Sequence, residues 1–112
     1  MGEPEFKSCI DTGTGRCLEF TLIGPKEWWA YPYRLVRFGQ GGDRNVTLNL
    51  DDETVIIHGR RLKPLLDGFH QQLIRSVRFM PRYEWFLQES RGWNGPRVER
   101  IEVEGRQSFP IR

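Results

Sequence analysis

In RRLKPLLDGFHQQLI, Leu62, Leu65, Leu66, Phe69 and Leu73 fall at i, i+3, i+4, i+7 and i+11. That is one apolar stripe on a 3.6-residue period, and it predicts an amphipathic helix. Pro64 suits the first turn, where its missing N–H costs nothing. Gly68 weakens the helix by up to about 1 kcal/mol relative to Ala, so packing has to hold it. A buried stripe of large side chains supplies that, at roughly 1.5–3 kcal/mol each.

Elsewhere the period is two. RCLEFTLIG alternates so that Leu18, Phe20 and Leu22 face a core, and Gly24-Pro25 ends that strand. YRLVRF reads as a second strand, GQGGD as a turn, and RNVTLNL as a third strand with Val46, Leu48 and Leu50 inward. DDE turns the chain into TVIIH, and this succession of tight turns reads as an antiparallel meander. After the helix, SVRFM, YEWFLQ (Tyr83, Trp85 and Leu87 on one face) and RIEVE add further strands, and the tail RQSFPIR reads as an edge or a frayed end. The expected fold is α+β: one twisted antiparallel sheet of about five to seven strands packed against a single amphipathic helix. No repeat or linker divides residues 1–112, so a single globular domain is expected.

The strand-rich run ending TVIIHG, followed directly by LKPLL, is similar to small bacterial proteins over the middle third of the chain. That resemblance implies no activity.

Apolar content of 38% with 12% aromatics is too hydrophobic for a disordered chain. No apolar run approaches the length of a membrane span, and no charged-then-apolar segment opens the chain, so a cytoplasmic protein is the expectation. The net charge of +2 hides an asymmetry: residues 1–57 carry six Lys/Arg against nine Asp/Glu, giving −3, and residues 58–112 carry eleven against six, giving +5. The second half is therefore open to an anionic partner. Cys9 and Cys17 bracket IDTGTGR, and a hairpin centred on Gly13 sets them opposite one another. A reducing compartment favours free thiols over a disulfide.

Catalytic signatures are missing from the sequence. His58 and His70 form no HxH or HExxH, no CxxC is present, and Gly39-Gln-Gly41-Gly42 lacks the GK[ST] of a phosphate loop. No catalytic residue, metal ligand or cofactor is therefore assigned. The carboxylates Asp51, Asp52 and Glu53 read as a solvated turn.

Two groups stand out as binding candidates. Arg60, Arg61 and Lys63 crowd the predicted helix start, where the helix dipole disfavours cations, and an anion there would meet free N–H groups and guanidinium forks. The other group is aromatic. Trp28 and Trp29 are adjacent and cannot both face one core from an extended strand. Trp29, Tyr31 and Tyr33 share a face and Trp28 turns away. Trp93 lies between glycines in RGWNGPR beside Arg91 and Arg97. It reads either as a protein- or base-contact residue or as a lid folded back on the sheet.

Two functional readings follow. The first is a non-catalytic binding or scaffolding module that contacts another protein or a second copy of itself. The alternative is a nucleic-acid-binding module using the basic second half, with Arg60, Arg61, Lys63, Arg75, Arg78, Arg91 and Arg97 on phosphates and Trp93 or Tyr83 stacking on bases. Against the alternative, the charge balance falls short of the strongly basic norm for such domains.

Overall fold

The computed structural model describes residues 7–105. Within them lie eight strands and two helices: β1 Ile10–Thr12, β2 Glu19–Ile23, β3 Trp28–Pro32, β4 Phe38–Gly41, β5 Asn45–Asn49, β6 Glu53–Arg60, α1 Lys63–His70, β7 Ile74–Arg78, α2 Arg82–Glu89 and β8 Arg97–Gly105. A 3₁₀ turn at Tyr33–Leu35 joins β3 to the segment leading into β4. The fold is α+β, with two four-stranded sheets ordered β1-β7-β2-β3 and β4-β5-β6-β8.

The second sheet is an antiparallel meander, as expected for β5 and β6. Its first strand, however, is FGQG, whose GQG was expected to begin the GQGGD turn, and the RCLEFTLIG strand expected to open the meander lies in the other sheet. The pairs β4–β5, β5–β6 and β6–β8 are all antiparallel, and Val46, Leu48 and Leu50 are buried as their alternation requires. The first sheet was not legible as such. The chain returns through α1 and inserts β7 between β1 and β2, antiparallel to β1 and parallel to β2. A parallel neighbour requires a long crossover, and here meander and helix together supply it. One antiparallel sheet of five to seven strands is thus corrected to two sheets, one of them mixed.

The inserted strand also separates the cysteines. With β7 between them, β1 and β2 are not hairpin partners, and both thiols are free, Cys9 buried and Cys17 half-buried. Burial pushes the Cys9 thiol pKa up.

Helix α1 carries the core between the sheets, lying against β4 and β7. Leu62, just before it, and Leu65, Leu66 and Phe69 within it are all buried. Phe20 of β2 meets Phe69 edge-on at 5.0 Å and Tyr33 at 4.9 Å, and the Tyr33 hydroxyl donates to the Ile74 carbonyl at 2.7 Å. The helix is shorter than its stripe. It stops at His70, Gln72 takes a left-handed φ of 59°, and Leu73 is only half-buried. Gly68 proves to be a packing requirement, because a Cβ there would come within 2.6 Å of Ile74 Cδ1.

Three further expectations are corrected. Leu18 is 87% exposed, because β2 begins only at Glu19 and the alternation that buries Phe20 and Leu22 does not reach back to it. YRLVRF is not a strand: the extended segment is the preceding WWAYP, and the chain tightens into the 3₁₀ turn after Pro32. YEWFLQ is the second helix, α2, so the single-helix expectation fails. Pro81 sits extended at its N-cap and Glu84 occupies the first turn, both normal helix-start features. The tail RQSFPIR lies outside the described residues.

Candidate protein-contact surface

Helix α2 inverts the usual arrangement of an amphipathic helix. Tyr83, Phe86 and Leu87 stand at i, i+3 and i+4, which places them on one stripe. They are 73%, 64% and 49% exposed. The residue buried on this helix is Gln88.

Polar anchors hold the inner side. Gln88 Oε1 accepts from the Lys7 N–H at 2.6 Å, and its Nε2 donates to the Lys7 carbonyl at 3.3 Å. Trp85 Nε1 donates to the Met80 carbonyl at 2.7 Å. Glu84 accepts from Arg78, whose guanidinium also donates to the carbonyls of Lys7 and Ser8. Glu89 accepts from Arg61 at 2.6 Å and from Arg97 at 2.9 Å and 3.0 Å. Burial works against the Glu89 charge, but the two guanidinium groups outweigh it and hold its carboxyl below the usual range. Arg97 also stacks on the Trp85 ring at 4.1 Å.

This network takes up several of the cations that the sequence singled out. Arg97 is buried, and a second carboxylate, Glu99, takes its remaining donors. Arg61 adopts a left-handed φ of 57° just before α1, which turns its side chain toward Glu89 and the Gly95 carbonyl and away from the helix start. Arg60 pairs with Glu99 at 4.0 Å and Lys63 with Asp67 at 3.5 Å. The three cations therefore diverge, each with its own carboxylate, and do not converge on one anion position. The Asp51 turn is paired instead with Arg37.

Trp93 is half-buried against the core. A Cβ on Gly95 would meet its ring at 2.9 Å, and the Trp93 backbone N–H donates to the Gln88 carbonyl at 3.1 Å. Trp93 folds back on the core, the geometry of the second of its two sequence readings. Arg91 is exposed. Trp28 is 72% exposed on β3, with Trp29 half-buried and Tyr31 and Tyr33 buried on the opposite face, as their parity requires. Of these contact candidates Trp28 and Arg91 are thus exposed, Trp93 is half-buried and Arg97 is buried.

Sequence reasoning missed Phe86 and the stripe around it. The 83, 86, 87 spacing was present, but Tyr83, Trp85 and Leu87 also alternate, and the aromatic content tipped the reading toward a strand. Among the described residues no three His, Cys, Asp or Glu side chains gather closely enough to hold a metal ion, and no helix is long and apolar enough to cross a membrane. No protein-family model matches this chain, and neither the curated proteins nor the solved structures provide a significant match.

Proposed function

We propose that this chain is a non-catalytic protein-contact module whose docking element is the outer face of α2. The observation that carries this reading is the inverted helix, on which Tyr83, Phe86 and Leu87 face water while Gln88 is buried. Three large apolar side chains on one exposed stripe are disfavoured unless something covers them. Exposed Arg82 opens the stripe and exposed Arg91 follows it. The fitting partner is a protein with an apolar groove rimmed by carboxylates, which receives a helix through i, i+3 and i+4 anchors. The pre-formed, polar-anchored helix lowers the ordering cost of binding.

Nucleic acid is the weaker reading. Of the basic residues assigned to phosphates, Arg60, Arg61, Lys63, Arg75, Arg78 and Arg97 are each paired with a carboxylate of the same chain, so binding phosphate would first break those pairs.

The test is affinity capture from native lysate with wild type, Phe86→Ala and Arg82→Glu, followed by titration of the captured protein. A genuine partner is expected to lose about 30-fold or more in affinity with Phe86→Ala, as an interface hot spot does, and a smaller factor with Arg82→Glu. A partner bound equally by all three would remove α2 from the interface.

A further inference from the structure

A second surface, separate from α2, lies at the open edge of β3. Of the four sheet edges, three carry features that discourage pairing with another chain. β1 is three residues long and irregular between Asp11 and Thr12. β4 is glycine-rich, and Gly41 has a φ of 148°. β8 is laid out with charges at Arg97, Glu99, Arg100, Glu102 and Glu104. β3 reads WWAYP: it carries no charge, and Pro32, the one residue in it that discourages pairing, stands at its end.

The turns at either end of the β2–β3 hairpin fix which of its backbone groups are free. Gly24 N–H donates to the Glu27 carbonyl at 2.8 Å and Tyr33 N–H to the Leu18 carbonyl at 2.9 Å. Hydrogen-bonded pairs recur at every second residue of an antiparallel ladder. In the observed register these are Leu22 with Trp29 and Phe20 with Tyr31. Trp28 and Ala30 therefore turn both N–H and C=O outward, and Pro32 turns out a carbonyl alone. Trp28 and Ala30 are both exposed.

We infer that this edge pairs with the same edge of a second copy, antiparallel and two-fold, joining two four-stranded sheets into one of eight. With the axis at Trp29, Trp28 of each copy lies opposite Ala30 of the other. Every outward N–H and C=O of those two residues then finds a partner, and Pro32, which has no N–H to give, falls outside the bonded pairs. Trp28 covers the small Ala30 side chain of the other copy. The Trp29 ring leans back over Gly24, its Cζ3 3.1 Å from where a Cβ would stand, and so leaves the axis clear.

Charge and shape point to the same occupant. In this register the hairpin tip of one copy, Pro25 and Lys26, comes alongside Pro32 of the other. There a groove of about 420 Å³ is lined by Leu18, Glu19, Pro32, Tyr33, Arg34 and Gln72. Glu19 is the cross-strand partner of Pro32, within reach of the arriving Lys26. Among the described residues, Glu19 and Lys26 take part in no salt bridge of their own chain. Exposed Leu18 gains Pro25 as an apolar neighbour. An unrelated extended peptide would match the backbone groups but not this reciprocal set of charges.

Sedimentation of the whole chain tests the pairing. Wild type is expected at dimer mass and Ala30→Lys at monomer mass. Ala30→Pro is also expected at monomer mass, because the N–H it removes faces outward. Glu19→Lys and Lys26→Glu are each expected to weaken the dimer by about ten-fold, through lost pairs and new like-charge contacts. The double reversal is expected to restore it. Phe86→Ala should leave the mass at dimer, which separates this edge from the α2 surface. A monomeric wild type, a dimer indifferent to both Ala30 variants, or a double reversal no better than the single ones would overturn the inference.

Discussion

The two helices are of equal length, eight residues each, and are held in opposite ways. α1 turns Leu65, Leu66 and Phe69 inward and leaves Lys63, Asp67 and His70 exposed. α2 turns Gln88, its carboxylates and the half-buried Trp85 inward and leaves Tyr83, Phe86 and Leu87 outside. Burial of large apolar side chains, at roughly 1.5–3 kcal/mol each, is enough to hold a helix too short to be stable alone. Directed hydrogen bonds and ion pairs contribute less per contact but fix orientation. The contrast separates a helix that builds the core from one that the core presents.

The largest expected effect comes from breaking α1. Leu65→Ala opens a cavity at a fully buried site and should cost about 2–5 kcal/mol. Chemical denaturation should show it as a lower midpoint for the whole chain. Second is the anchor of α2. Arg97→Ala leaves Glu89 and Glu99 without their shared guanidinium and strips the Trp85 ring of its cover. The expected cost is about 2–3 kcal/mol, reduced from that of a deeply buried pair because the carboxylates are partly solvated. Its signature is local: hydrogen exchange should accelerate in α2 before α1.

Acid sharpens the same contrast. The folded Glu89 carboxyl titrates below its ordinary value of 4.5, so its stabilisation is complete above that value. It is lost as pH falls through the lower folded value. α2 amides should therefore lose protection below about pH 4.5 while α1, held by apolar contacts, keeps its own. Uniform loss of protection across both helices would show that the anchors are not what holds α2. Smallest is the outer stripe, where Phe86→Ala should move stability by no more than about 0.5 kcal/mol in the absence of a partner.

What could be read from the sequence followed from local periodicity. The strands β5 and β6 and the stripe of α1 were legible because alternation and 3.6-residue spacing each pointed to one answer, whereas β4, the FGQG stretch, carries no alternation and reads as a turn. The insertion of β7 between β1 and β2 was not, since strand order is a property of the closed chain and leaves no mark in SVRFM. The same holds for Arg97. Its burial depends on Glu89, Glu99 and Trp85 meeting around it, and RGWNGPR by itself resembles an exposed loop. Trp28 was correctly turned outward by parity alone. The outward face of α2 lay hidden because YEWFLQ satisfies both periods, and only Pro81 and Glu84 favoured the helix.

The most direct test replaces the whole outer stripe. Tyr83→Ser, Phe86→Ser and Leu87→Ser are combined in one chain, and thermal unfolding is followed beside wild type and Leu65→Ala. If α2 presents its apolar face and is held by its polar one, the triple variant should melt within a few degrees of wild type, whereas Leu65→Ala should fall by roughly 10 °C or more. A triple variant that melts as low as Leu65→Ala would mean that the stripe belongs to the core, and the docking surface would be lost with it.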